Sequence, residues 1–205
     1  MQAVKQILSV IRLAEQLKRT LRHSWLSDGR AESVAEHTWR VSLMALLVAP
    51  HLDEQVDVER LLKIVIIHDL VEAIAGDIPA FELMRSAESR TTKRDEEQAA
   101  ISAIAEMLPD VNGIEILSLW REFESKNTLE SKVANALDKL EAQIQHNEAS
   151  LATWLDIEKG LMHLLDQHTF FDTFLDELRN QVVQETTRKL ASEGPATTFP
   201  EDRKI

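Results

Sequence analysis

Apolar positions recur at helical spacing along almost the whole chain. The first such stretch contains Val4, Ile7, Leu8, Ile11, Ala14 and Leu17. Its spacing predicts an amphipathic helix that ends near the basic segment from Arg22 to Trp25. No stretch of alternating apolar and polar residues competes, and five glycines and five prolines leave few hairpin turns. The pattern therefore predicts an all-α fold.

Residues with capping properties mark where the following helices begin. Ser33 and Glu36 have the spacing of a capping box, so a helix is expected from Ser33 to about residue 50. Asp57 is the expected N-cap of a helix that runs into His68 and Asp69 and ends near Gly76 and Pro79. Further helices are expected over about 92–107, 112–123, 127–146 with Asn127 as its cap, and 153–190 as one or two helices.

Length and composition agree with one globular domain. The chain has 205 residues, of which 44% are hydrophobic and 28% are charged. This is long enough to enclose a single core. We expect one domain over residues 1–190 and a disordered C-terminal tail over residues 191–205, where the apolar periodicity stops.

Charge and cysteine content narrow the function classes. A net charge of −12 argues against a broad nucleic-acid surface, although a local basic pocket can still hold one phosphate. Without cysteine the chain forms neither disulfides nor thiolate metal sites. No apolar run approaches the roughly 18 residues that span a bilayer, and the first residues lack a signal-peptide layout. We therefore expect a cytoplasmic protein without nucleic-acid or membrane partners.

Ionisable residues interrupt three of the predicted helices. His68 and Asp69 follow an aliphatic run, where unpaired polar groups are costly. His37 shares the inward stripe of its helix, and Asp138 borders the stripe of another. Each alone is most simply a hydrogen-bonded buried residue. The four together favour a divalent cation, because imidazoles and carboxylates suit first-row metals and leave positions for water and substrate.

Neighbouring residues add candidates for proton transfer and substrate binding. Glu72 lies within about one turn of the His-Asp pair, and Asp77 follows a glycine. Either is also explained as a solvated carboxylate or a turn former. Arg22, His23 and Trp25 form a basic segment that could clamp a phosphate and cover a base or sugar. The same segment could equally be an ordinary basic helix end.

Three stretches carry a family resemblance: Arg22-His23-Ser24-Trp25, Glu32 to Val41, and His68 to Pro79. The strings E-S-V-A-E-H and H-D-x-x-E-x-x-x-G-D-x-P are more specific than a bare H-D pair. Over about residues 5–150 the chain resembles the HD-domain metal-dependent phosphohydrolases, and within them the small proteins with 5′-deoxynucleotidase activity. No G-Y-P string follows the H-D pair, which disfavours the cyclic-dinucleotide phosphodiesterases.

The resemblance implies a single-domain helical bundle of the HD type with one divalent metal ion, either Mn, Co, Fe, Ni, Zn or Mg. Its implied ligands are His37, His68, Asp69 and Asp138. It further implies a water-activating Glu72, a phosphate contact at Arg22 and a substrate contact at Asp77. The implied substrate is a nucleoside 5′-monophosphate, and homodimers are common in such families. His23 stands where some relatives place a tryptophan against the sugar.

Two other classes of function remain at this stage. The chain could be a catalytically silent module that binds a nucleotide, or a helical scaffold whose polar residues are structural. The presence of Glu72 beside all four candidate ligands favours an enzyme, because a sensor needs no water-activating carboxylate. The region after about residue 150 receives no role from the sequence.

Overall fold

Helices form nearly all the regular structure of this chain. The computed structural model describes residues 1–83 and 86–192. Its α-helices are α1 Gln2–Leu13, α2 Val34–Val48, α3 Val58–Ile67, α4 Glu72–Ala75, α5 Ala80–Leu83, α6 Ala87–Glu106, α7 Asp110–Ser125, α8 Leu129–Glu148, α9 Asp166–Thr169 and α10 Thr173–Ser192. Short 3₁₀ helices lie at Ala14–Lys18, Ala49–His51, Leu151–Thr153 and Glu158–Leu164. The prediction of an all-α, single-domain fold is confirmed.

Two further predictions concern the C-terminal tail and membrane-spanning helices. The tail predicted over residues 191–205 lies, beyond Ser192, outside the described residues. Among the helices that the structure describes, none is both long enough and apolar enough to cross a membrane.

A short hairpin replaces the expected end of the first helix. The strand β1 Leu21–Trp25 pairs antiparallel with the strand β2 Ala31–Ser33. Gly29 adopts a φ of 87° in the connecting turn, a conformation that glycine reaches without strain. The prediction that Arg22 to Trp25 end a helix was therefore wrong, as was the absence of strands. Strands of five and three residues are too short to show an alternating pattern.

Helix starts follow the predicted capping residues, with one exception. Ser33 Oγ accepts a hydrogen bond from the amide of Glu36, whose carboxylate accepts one from the Ser33 amide in return. The carboxylate of Asp57 likewise caps α3. Helix α8, however, begins one residue later than expected, because Thr128 rather than Asn127 forms the capping box. Both residue types cap well, so the sequence left the register open.

The main core lies where α2, α3 and α8 pack side by side, covered by α7 and α10. Leu61, Ile64, Leu137, Leu140 and Leu175 are fully buried there. Because these three central helices lie next to one another, the ionisable residues on their inward sides face a common point. The apolar stripes thus determine where the polar residues meet.

The chain bends sharply at the end of α3. Helix α3 ends at Ile67, and the turn over residues 68–71 precedes α4. The amides of Leu70 and Glu72 bond to carbonyls three residues earlier, which tightens the chain relative to an α-helix. Leu70 and Val71 enter two smaller apolar clusters beside the main core. The prediction of one helix that continues through His68 and Asp69 to Gly76 was therefore wrong, because the chain turns after Ile67 and resumes as the separate α4.

The last quarter of the chain folds back over α8. Residues 151–169 form two 3₁₀ helices and the short α9, and only α10 is long. The expectation of one or two helices over 153–190 was thus right only for its second half. Short 3₁₀ segments have a different period from α-helices, so the apolar spacing does not separate them.

Candidate metal centre and substrate pocket

The four predicted metal ligands meet at the centre of the bundle. His37 Nε2 on α2 lies 3.6 Å from Asp69 Oδ2 and 3.2 Å from Asp138 Oδ1 on α8. His68 Nε2 lies 3.1 Å from Asp69 Oδ2. The ligand atoms of His37, His68 and Asp69 all fall within 4.8 Å of one another. Residues from three distant segments therefore form one compact donor set.

The donor atoms of this set fit a divalent cation. Among the described residues, His37 Nε2, His68 Nε2 and Asp69 Oδ2 are buried and have no hydrogen-bond partner. Leaving such atoms unpaired is unfavourable, and native structures rarely do so. Two imidazole nitrogens with carboxylate oxygens are the ligands of first-row metal sites. The arrangement is explained if the atoms coordinate an ion.

The outer nitrogens of both histidines are fixed. His68 Nδ1 donates to the carbonyl of Val65 at 2.6 Å, and a carbonyl can only accept. The proton therefore sits on Nδ1, and the lone pair of Nε2 points to the centre. His37 Nδ1 contacts the carboxylate of Glu141 in the same way. Such outer partners orient metal-binding histidines and raise their basicity.

Glu141 is itself held by Arg40, and neither residue was among the predicted site residues. The fully buried Glu141 accepts a hydrogen bond from Arg40 Nε at 2.7 Å through its other oxygen. Burial opposes ionisation, but the charges of His37 and Arg40 lower the pKa of Glu141 below its ordinary value. Arg40 also bonds to Glu148, at 2.7 Å. A charged pair thus supports the His37 ring from behind.

Arg22 reaches the centre from the hairpin. Its Nη1 lies 3.7 Å from Asp69 Oδ2, and its Nε lies 3.5 Å from Glu32 Oε2. Burial disfavours its charge, yet Asp69 and Asp138 raise the pKa of Arg22 further above its ordinary value. The guanidinium therefore stays charged beside the donor set. The strand, rather than a helix end, gives it this position.

Glu72 and Asp77 place two further carboxyl groups beside the same centre. Glu72 is 5% exposed, and its Oε2 has no hydrogen-bond partner among the described residues. Burial, together with the charges of Asp69 and Asp77, raises the pKa of Glu72 to about 10. Burial also raises the pKa of Asp77. So many carboxyls in one place are stabilised by a bound cation.

A cavity of about 240 Å³ opens beside the donor set. Its polar lining includes Arg22, His23, Asp77, Asp138 and Lys139. Lys139 Nζ pairs with Asp138 Oδ2 at 2.9 Å. The cavity lining thus brings together two basic residues and one carboxylate of the donor set.

Trp25 is placed differently from its predicted role. His23 and Ser24 line the cavity, whereas Trp25 is absent from the described lining. Its ring instead meets His23 edge-on, with 4.7 Å between the ring centroids. Phe81 contacts the same imidazole at 5.0 Å. Trp25 therefore packs against a cavity residue, and among the described lining residues Phe81 supplies a phenyl ring.

The region after residue 150 closes one wall of the cavity. Glu158, Leu161, Leu164, Leu165 and His168 all belong to the lining. No role was predicted for this region, because its residues share no motif and lie in short 3₁₀ and helical segments. Their contribution follows only from the fold, which returns the chain across α8.

The comparison with known families agrees with this geometry. Residues 14–179 match the HD domain family. This range includes the hairpin, the donor set and most of the segment after residue 150 that returns across α8, here called the returning segment. The chain belongs to the HD domain family. The resemblance found in the sequence is thereby confirmed.

Relatives of this HD domain include enzymes and solved structures. It is 36% identical over 144 residues to the 5′-deoxynucleotidase HDDC2 of Danio rerio, covering 69% of this chain and 68% of that protein. A predicted metal-dependent phosphohydrolase from Magnetospirillum magnetotacticum superposes with a TM-score of 0.78 at 26% identity, covering 92% of this chain and 94% of the other. The cyanophage S-2L HD phosphohydrolase, bound to dA and one catalytic Zn²⁺, shares the fold at TM-score 0.56 and 18% identity, covering 86% and 96%.

Proposed function

We propose that this HD-family hydrolase is a metal-dependent phosphomonoesterase that converts (deoxy)nucleoside 5′-monophosphates to nucleoside and inorganic phosphate. The observation that carries the proposal is the meeting of three buried, unpartnered donor atoms, from His37, His68 and Asp69, beside a cavity lined by Arg22. The relative in Danio rerio is a 5′-deoxynucleotidase, which supports the deoxynucleotide class of substrate.

We propose one divalent ion as the cofactor. Its ligands would be His37, His68, Asp69 and Asp138. Donor sets of this kind accept Mn, Fe, Co, Ni or Zn, and Mg also binds carboxylates, so supply and geometry decide the metal. The cyanophage relative carries Zn²⁺. When bound, the ion polarises a phosphate oxygen and lowers the pKa of a water.

Arg22 would bind the phosphate of the substrate. A guanidinium offers a planar fork of donors that matches two phosphate oxygens, and burial makes those bonds stronger. Arg22 already lies beside Asp69 and is charged, so it needs little rearrangement to reach a ligand in the cavity. Asp77 lines the same cavity and would accept a hydrogen bond from the substrate.

Glu72 would take the proton of the attacking water. Its buried Oε2 lacks a partner, and its raised pKa makes the ionised carboxylate a strong base. The charges of Arg22 and Lys93 lower the pKa of Glu72, and a cation held by the neighbouring ligands would favour the ionised carboxylate further. As the water oxygen bonds to phosphorus, the bond from phosphorus to the 5′ oxygen breaks. The proton held by Glu72 is then available to the leaving 5′ oxygen.

The rest of the cavity suits a nucleoside. Phe81 and three leucines provide apolar surface, while His23 and Ser24 offer polar atoms. A lining of apolar groups with a few convergent polar ones is typical of small-molecule sites. His23 supplies an imidazole in place of the larger indole that some relatives use, so the sugar preference is part of the test.

The test is a phosphate-release screen with added Mn, Co, Zn or Mg. Its substrates are deoxy- and ribonucleoside monophosphates, sugar phosphates and cyclic nucleotides. We expect release from the 5′-monophosphates, with the deoxy forms preferred. Hydrolysis of cyclic nucleotides alone would replace the proposed reaction with a phosphodiesterase. Nucleotide binding without hydrolysis would identify a catalytically silent module. If the protein neither bound nor hydrolysed nucleotides, the helical scaffold would be the remaining explanation.

We further propose that the protein is a cytoplasmic homodimer. The outer side of α2 exposes Trp39, Leu43, Leu46 and Leu47, and the first and last of these are more than 60% exposed. Clustered exposed apolar residues often mark an interface. Light scattering after chromatography should show a dimer that Trp39→Glu dissociates. A monomeric wild type would contradict the dimer, and a fluorescent fusion tests the location.

A further inference from the structure

A second polar cluster lies on the cavity wall, away from the metal ligands. Glu158 Oε1 lies 3.3 Å from His23 Nε2 and 3.9 Å from His146 Nε2. The three residues come from β1, α8 and a 3₁₀ helix of the returning segment. All three line the cavity, and Glu158 is only 3% exposed. The fold therefore brings a buried carboxylate to the substrate space.

Several polar atoms of this wall lack partners. Among the described residues, His23 Nε2, Ser24 Oγ and His146 Nδ1 are buried and form no hydrogen bond. Burial lowers the pKa of His146 to about 4, so its ring is neutral at pH 7. Buried polar atoms in native proteins nearly always have a partner. A ligand that enters the cavity would supply one.

Glu158 is held in a fixed orientation. Its Oε2 accepts a hydrogen bond from the amide of Leu155 at 2.7 Å, which anchors one carboxylate oxygen to the backbone. The other oxygen faces His23 across the cavity wall. Burial raises the pKa of Glu158, while the Leu155 amide and the His23 side chain act in the opposite direction. An ionised carboxylate there can only accept hydrogen bonds.

The cluster adjoins the proposed phosphate contact. His23 directly follows Arg22 in β1, and Phe81 packs against its ring. A nucleotide whose phosphate meets Arg22 would therefore place its sugar or base near His23 and Glu158. Both of those groups carry hydroxyl or amino donors that a fixed carboxylate can select.

We propose that Glu158, supported by His23 and His146, determines specificity by accepting a hydrogen bond from a hydroxyl or amino group of the nucleoside. The proposal rests on the proposed function for its substrate class. It assigns to the returning segment a role in substrate choice rather than in chemistry. A site built to hold a donor strongly rejects analogues that lack it.

The test compares Glu158→Gln with the wild type. Glutamine keeps an oxygen for the Leu155 amide but turns a donor toward the cavity, so the local fold is preserved. We expect kcat/KM for deoxynucleoside monophosphates to fall about 10-fold or more, mainly through KM. Hydrolysis of glycerol 1-phosphate, which has no nucleoside, should not change. Asp156→Asn is the matched control, because that carboxylate lies on the same segment and is 97% exposed.

Two substrate analogues separate the sources of the donor. If Glu158 binds the 3′-hydroxyl, the penalty of Glu158→Gln disappears for 2′,3′-dideoxynucleotides. If Glu158 binds the amino group of adenine, the penalty disappears when hypoxanthine replaces adenine in the nucleotide. Equal losses for glycerol 1-phosphate and nucleotides would overturn the proposal, since they would indicate a structural role. Unchanged kinetics would overturn it as well.

Binding of phosphate-free deoxynucleosides keeps this proposal separate from the proposed reaction. Calorimetry should show that the wild-type protein binds them and that Glu158→Gln weakens binding about 10-fold. Weakened binding in a protein without phosphatase activity would support the Glu158 assignment and reject the reaction. No deoxynucleoside binding by the wild type, or equal binding by both proteins, would reject the assignment.

Discussion

Nδ1 of His37 on α2 is hydrogen-bonded to the carboxylate of Glu141 on α8. The contact joins two central helices of the bundle and leaves Nε2 of the imidazole facing Asp69 and Asp138. Arg40 fixes the second oxygen of Glu141. The orientation of His37, a proposed metal ligand, thus depends on Glu141, which holds the ring nitrogen that faces away from the metal site.

Glu141→Gln should weaken metal binding about 10- to 100-fold, the usual effect of changing an outer partner of a metal ligand. The amide still accepts a hydrogen bond but no longer carries the charge that raises the basicity of His37. A chromophoric chelator competing for Zn²⁺ or Co²⁺ measures the affinity. Glu148→Gln is the control, because it removes a half-exposed partner of Arg40. Equal affinity in wild type and Glu141→Gln would contradict the support role.

Glu72→Gln should reduce turnover about 10²- to 10⁴-fold, the contribution typical of a general base. Glutamine keeps the shape of the side chain but cannot take a proton. Metal content, measured by elemental analysis, should stay at the wild-type value because four other side chains supply the ligands. Full activity would remove Glu72 from the reaction, whereas joint loss of metal and rate would make Glu72 a ligand.

Glu72 should also make the metal-free protein less stable as pH rises. Its pKa is about 10 in the folded chain against an ordinary 4.5, so the folded state holds its proton longer than the unfolded state. The stabilisation is complete below pH 4.5 and declines as the pH rises toward 10. Glu72→Gln has no such proton to lose.

Thermal melts of the chelated protein test whether its stability falls as the pH rises. Between about pH 5 and pH 9, the melting temperature of the wild type should fall more steeply than that of Glu72→Gln. Groups remote from this centre titrate equally in both proteins, so the difference reports on Glu72 together with its neighbours Asp69 and Asp77. Parallel curves would show that Glu72 is not buried in the uncharged form.

Gly113→Ala should destabilise the packing of α7 against α6. A Cβ at Gly113 would lie 2.5 Å from the carbonyl oxygen of Ala105, which is backbone and cannot turn aside. Overpacking of this kind costs about 1–3 kcal/mol. Gly160→Ala is the control, because a Cβ there meets nothing within 4 Å. Urea unfolding measures the stability of both variants. Equal midpoints would show that α6 and α7 move apart at no cost in stability.

The sequence was most informative where local chemistry fixes local structure. Ser33 and Asp57 cap their helices as expected, and the apolar stripes of those helices turn His37 and His68 inward. The donor set could therefore be predicted as a group before any distance was known. The capping residue of α8 was misplaced by one position, since Asn127 and Thr128 are chemically similar.

The rest depended on long-range contacts. Glu141 meets a histidine 104 positions earlier in the chain, and Glu158 meets the hairpin residue His23. No local pattern reports such pairings, because helical periodicity shows which face is buried and not what it touches. The hairpin was missed for a related reason. Its strands are short, and each strand is stabilised by pairing with the other strand, which a pattern within either strand alone does not show.

The most direct test of the metal-dependent reaction is phosphate release from a deoxynucleoside monophosphate during stepwise return of metal to chelated protein. The chelated protein should be inactive, and activity should rise linearly until about one ion per chain is bound, then stay constant. Asp69→Ala should remain inactive throughout. Full activity in the chelated protein, or equal recovery in Asp69→Ala, would contradict the account.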